Sequence, residues 1–175
     1  MPRATDMKTT LDRNIEAMGR RPQLGKGTAT TCVTLRRGGT ACDIEDGPWR
    51  LIADLDKSMG GEGGAPDPGV FGRAALGSCM VLGYELWAAR LGVRLVDVRV
   101  TIESDFDARG MYAVDDAVTP GWLAVRCTID ITSPDPHDRV AEVVEQANRY
   151  SPLMADISRP VPVSCEVRIS SPAEE

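Results

Sequence analysis

The chain has 175 residues, 42% of them apolar and 26% charged, with a formal net charge of −6. That length suits one compact domain with a real core. The acidic balance speaks against nucleic-acid binding, which needs a basic footprint, and no apolar run reaches the roughly 20 residues of a membrane-spanning helix.

Residues 5–20 place Met7, Leu11, Ile15 and Met18 at helical spacing, which predicts an amphipathic helix. A linker with Pro22 and Gly25 follows. Three short segments, 27–37, 40–45 and 48–55, are rich in β-branched and apolar residues and are separated by Gly38-Gly39 and Asp46-Gly47. They read as three antiparallel strands joined by tight turns.

After a glycine-rich loop (57–67), Asp67-Pro68 supplies an N-cap and a first helical residue, and Gly92 supplies a stop. The enclosed segment 68–91 has only Arg73, Glu85 and Arg90 as charges. A helix so apolar around its circumference is expected to be buried. Gly72, Gly77 and Gly83 each cost about 1 kcal/mol against alanine inside a helix, so something is expected to pack close to its backbone.

Residues 93–106 and 122–133 read as paired strands, 136–148 as a second helix, 151–157 as a short third helix and 160–169 as a final strand, with a disordered tail at 171–175. The order βββ–α–ββ–α–β is that of an α+β fold. The expected organisation is an N-terminal helix and linker (1–26), one domain (27–170) and the tail.

Five cysteines, Cys32, Cys42, Cys79, Cys127 and Cys165, form no CxxC pair and no even disulfide framework. With no apolar signal-like stretch in the first residues, they suggest free thiols in a cytoplasmic protein. No metal and no cofactor is expected: 105–116 has calcium-loop spacing, but Arg109 stands where a ligand oxygen is required, and the glycine-rich stretches 25–28 and 60–64 are not phosphate loops. His137, the single histidine, reads as a solvent-facing residue at the start of its helix.

Cys79 is the residue that draws attention. It lies eleven residues beyond Pro68, too deep in the helix for the dipole to make it a thiolate. Two readings stand side by side: a small apolar core residue, or a reactive thiol that needs a cation from elsewhere in the fold.

The stretch from Gly60-Gly61 through PDPGVFGRAALGSCM, together with ANRYSPLMADISRPVPVSCEV downstream, resembles the two motifs of the OsmC/Ohr family (osmotically inducible protein C and organic hydroperoxide resistance protein). The resemblance covers roughly residues 27–170. It implies an intertwined homodimer around two long central helices, which would account for the small residues of 72–83. It also implies stress-response, peroxiredoxin-like chemistry on organic hydroperoxides. Cys79 matches the peroxidatic position. Arg37 is the counterpart of the activating arginine. Gly69 occupies the position of the motif glutamate, leaving Glu62 as the nearby carboxylate. Ser151 occupies the resolving-cysteine position. Phe71, Met80, Trp87 and Ser151 are the expected substrate-side residues. Because serine cannot close a disulfide, the resemblance points to a one-cysteine, thiol-dependent peroxidase using an external thiol reductant. The alternative is a non-peroxidase relative that binds a small apolar or thiol ligand at the dimer interface.

Overall fold

The computed structural model describes residues 4–171. In chain order the elements are α1 (Ala4–Arg20), β1 (Cys32–Leu35), β2 (Cys42–Asp46), β3 (Trp49–Ala53), α2 (Pro68–Leu91), β4 (Asp97–Phe106), α3 (Ala108–Met111), β5 (Trp122–Thr132), α4 (His137–Arg149) and α5 (Pro152–Ser158). The α+β reading is correct, and α2 has the bounds its caps foretold. Asp67 Oδ1 accepts from the Val70 N–H at 2.9 Å, and Gly92 closes the helix in the left-handed region at φ +69°. The loop between β4 and β5 contains one short helix, α3, where only a polar loop was expected.

Strands β1, β2 and β3 form an antiparallel sheet in that order. The β2–β3 turn shows how locally this is specified. Asp46 pairs with Trp49, so Gly47-Pro48 is the whole loop. Gly47 has φ +50°, while the proline ring holds its φ negative, which leaves a type II′ turn. The register puts Val33, Leu35, Cys42, Ile44, Trp49 and Leu51 on one face and Arg36, Asp43, Glu45 and Arg50 on the other. Arg36 bridges Asp43 across that polar face at 2.6 Å, which raises its pKa and lowers the aspartate's. The apolar face is open: Leu35 is 67% and Trp49 69% exposed.

The second sheet is the β4–β5 pair, with Val98, Val100 and Ile102 opposite Ile131, Ile129 and Cys127. These residues pack beneath α2 and α4, where Leu76, Met80, Tyr84, Ala88, Val143 and Ala147 form the core. Tyr84 is fully buried, and its hydroxyl donates to Asn148 Oδ1 at 2.8 Å, so its polar end is satisfied.

The helix glycines do meet close neighbours, and those neighbours belong to the same chain. A Cβ on Gly72 would lie 3.0 Å from the Trp122 ring, one on Gly77 3.4 Å from Ile102, and one on Gly83 3.9 Å from Ala147. The small residues therefore seat α2 on its own sheet and on α4.

The expected final strand does not form. Residues 160–171 carry no regular secondary structure, although Val161, Val163, Cys165, Val167 and Ile169 alternate with Pro162, Ser164, Glu166 and Arg168. A strand exists only where another strand offers its backbone groups, and this segment finds no such edge in its own chain. Its apolar side is open, with Ile169 93% exposed. The rest of the tail expectation falls on 172–175, outside the described residues. Among the described residues no helix is long and apolar enough to cross a membrane.

Candidate functional site

Two helix starts and one loop build the site. Ser151 is the N-cap of α5, its Oγ accepting from the Met154 N–H at 3.4 Å. Pro152 then occupies the first helical position, where its missing N–H costs nothing. This pins the serine against α2, with Cys79 Sγ 3.5 Å from Ser151 Oγ. Ser151 is 5% exposed, and Cys79 is half-buried.

The loop leading into α2 is held by Asp54, which sequence reasoning passed over as a strand-end residue. It is 4% exposed. Oδ1 accepts from Thr40 Oγ1 at 2.6 Å and from the Leu55 N–H at 2.8 Å, and Oδ2 accepts from the Gly64 N–H at 3.0 Å. These donors hold its carboxyl below the ordinary carboxylate range, the Thr40 bond foremost. The signal in the sequence was faint: an acidic residue closing an otherwise apolar strand. Gly60 and Gly61 have separate duties here. Gly60 takes φ +85°, which favours glycine. At Gly61 a Cβ would lie 2.0 Å from the Leu55 carbonyl oxygen, so only glycine fits.

The family model described as OsmC-like protein matches residues 61–166, the span that carries Cys79, Ser151 and both helix starts. This chain belongs to the OsmC-like family. Solved structures agree on the fold. An OsmC-like protein from Mycoplasma pneumoniae superposes with a TM-score of 0.65 at 10% identity, covering 76% of this chain and 89% of its own. An organic hydroperoxide resistance protein OsmC from Legionella pneumophila gives 0.56 at 24%, covering 75% and 91%. An OsmC-like protein of unknown function from Vibrio cholerae gives 0.57 at 13%, covering 74% and 93%. No curated protein matches the chain in sequence.

Within this OsmC-like chain the other expected site residues are scattered. Arg37 sits in the exposed β1–β2 turn. Glu62 is exposed in the loop before α2, and its backbone, not its carboxylate, reaches Asp54. Met80 faces the core at 2% exposure, away from any surface pocket. Phe71 and Trp87 are each eight residues from Cys79, about 12 Å along the helix axis. Trp87 stacks on Tyr150, with ring centroids 5.3 Å apart and planes 18° from parallel. Arg73, six residues before Cys79, turns to β4 and donates to Ser104 Oγ at 3.4 Å. Among the described residues the only hydrogen-bond partner of the Cys79 thiol is Ser151.

The remaining thiols differ in character. Burial pushes the Cys127 thiol up, which keeps it protonated and inert. Cys32 and Cys165 are exposed, Cys42 is half-buried, and all five cysteines are free. His137 is exposed at the start of α4, as expected. No group of three or more His, Cys, Asp or Glu side chains among the described residues is arranged to hold a metal.

Proposed function

We propose that this protein is a one-cysteine, thiol-dependent reductase of organic hydroperoxides, working as an intertwined homodimer with Cys79 as its nucleophile. The observation that carries the reading is the Cys79–Ser151 contact. It gives the family's two-motif arrangement with a hydroxyl where a second thiol would stand, so capture of an oxidised Cys79 falls to an external thiol.

The chemistry balances in three steps. The Cys79 thiolate attacks the terminal peroxide oxygen. The O–O bond breaks, the alkoxide takes a proton and leaves as the alcohol, and the sulfur keeps the oxygen as a sulfenic acid. One external thiol displaces water from that sulfur to form a mixed disulfide. A second thiol then releases Cys79 as a thiol and leaves as the external disulfide. Two thiols are oxidised for each hydroperoxide reduced.

Such a thiol needs a cation to hold it as thiolate, and among the described residues none is bonded to Cys79. The homodimer supplies it in this reading. The apolar face of β1–β3 is uncovered, α2 leaves Leu82 69% exposed, and 160–169 lacks a strand to pair with. A second copy covers the first two, offers an edge to the third and brings its own Arg37 turn over the partner's helix. In this reading Glu62, in the loop before α2, orients that guanidinium, and Phe71 contributes to the apolar lining. Residues 27–170 form the functional domain, with the N-terminal helix as an addition, in a reducing cytoplasm that keeps the thiols free.

One observation favours a second reading. With Ser151 in place of a thiol and no cation bonded to Cys79, the same site also suits a non-peroxidase protein that holds a small apolar or thiol ligand at the interface.

The test is consumption of cumene hydroperoxide with dithiothreitol, alongside dimedone trapping read by intact mass. Turnover and a single dimedone adduct at Cys79, both lost in Cys79→Ser, are expected. An unmodified Cys79 under excess hydroperoxide would sink the enzyme reading and leave the ligand-binding one.

A further inference from the structure

A second concave site lies about 12 Å along α2 from Cys79, between α1, α2 and α4. It is an open groove of about 730 Å³. Its apolar walls are Leu11 and Ile15 from α1, Leu86 and Leu91 from α2, and the stacked Trp87–Tyr150 ring pair. A volume of this order suits one small molecule.

The charge in the groove is one-sided. Glu142 is neutralised by Arg139, at 2.8 Å. Arg90 has no carboxylate partner among the described residues. Its guanidinium lies over the Trp87 ring, 4.6 Å from the centroid, which holds it on the wall without consuming its hydrogen-bond donors. Gln146 adds a neutral amide beside it. In a chain of net charge −6, this is an apolar trough with a fixed, unneutralised cation on its rim.

We propose that the groove binds a small amphipathic carboxylate, an aryl or medium-chain acid. The apolar body lies between α1 and the Trp87–Tyr150 pair, and the carboxylate accepts from Arg90. A cationic or neutral apolar molecule fits the walls but leaves Arg90 without its partner. The site owes nothing to the Cys79 chemistry and stands whether or not the peroxidase reading holds.

The experiment is calorimetric titration of the full chain with 2-naphthoate and with its neutral analogue 2-naphthylmethanol, together with NMR of the labelled tryptophan indole N–H groups. Saturable naphthoate binding is expected, weakened about tenfold or more by removing the charge from either side, the size of one charge-assisted hydrogen bond. The alcohol and the Arg90→Gln variant should therefore behave alike. The Trp87 signal should move while that of Trp49, on the distant sheet, stays. Ile15→Asp, at a position already 40% exposed, should block binding with the circular-dichroism spectrum intact. Absence of naphthoate binding, equal affinity for acid and alcohol, unchanged affinity in Arg90→Gln, or an unmoved Trp87 signal at saturation overturns the proposal.

Discussion

Cys79 Sγ and Ser151 Oγ, 72 positions apart in the chain, lie 3.5 Å from each other. The contact joins the middle of the central helix to the N-cap of α5.

Ser151→Cys should therefore restore a two-thiol pair. A sulfur at that position needs to close by about 1.5 Å to reach the bond length of a disulfide. Limiting hydroperoxide is expected to form a disulfide between position 151 and Cys79, seen as two thiols lost to Ellman's reagent and a cross-linked peptide in non-reducing digests. Retention of both thiols would mean that the side chains cannot adopt disulfide geometry. Ser151→Ala, which removes the cap of α5, should cost about 1 kcal/mol in urea denaturation.

Two glycine substitutions should go in opposite directions. Gly61→Ala forces a carbon against the Leu55 carbonyl oxygen, so the loop must rebuild, at a cost of about 2 kcal/mol or more. Gly83→Ala meets Ala147 at ordinary contact distance and gains helix propensity, up to about 1 kcal/mol. Thermal melts of the two variants beside wild type check both signs.

Asp54 should make the fold acid-sensitive. Its folded pKa is lowered, so its contribution is fully present above its unfolded value of about 4 and is lost as pH falls through the lower folded value. Asp54→Asn is expected to be less stable than wild type at pH 7, with the gap shrinking below about pH 4. A constant gap across that range would show that the amide change acts sterically.

The open face of β1–β3 should be an interface between two copies. Leu51→Asp places a charge in the middle of it, at a position 48% exposed in the single chain, so the monomer keeps its fold. Light scattering coupled to size exclusion should give a dimer for wild type and a shift toward monomer for the variant. A monomeric wild type would remove the partner's Arg37 from the site.

The sequence exposed most of the framework. Asp67-Pro68 and Gly92 bound α2, Asp46-Gly47 marks the β2–β3 turn although the register makes Gly47-Pro48 the loop itself, and the Pro68–Cys79 interval with Ser151-Pro152 marks the family motifs. Each is a short-range device: a cap, a ring-fixed dihedral or an alternation, complete within a few residues. The site was less legible. Met80 and Trp87 differ in fate, one in the core and one in the α1 groove, although both follow Cys79 on the same helix. Asp54 is buried because Thr40 and Gly64 converge on it from different loops.

By itself, then, the sequence determined the order of the main strands and helices through α5, with α3 missed and the final strand not formed, and the motifs around Cys79 and Ser151. Only the tertiary structure decided what that thiol touches, which glycines face which neighbours and that 160–169 remains unpaired in a single chain. Caps and turns are decided by adjacent atoms, whereas burial and pairing are sums over residues remote in the chain, and a strand without an edge has no local remedy.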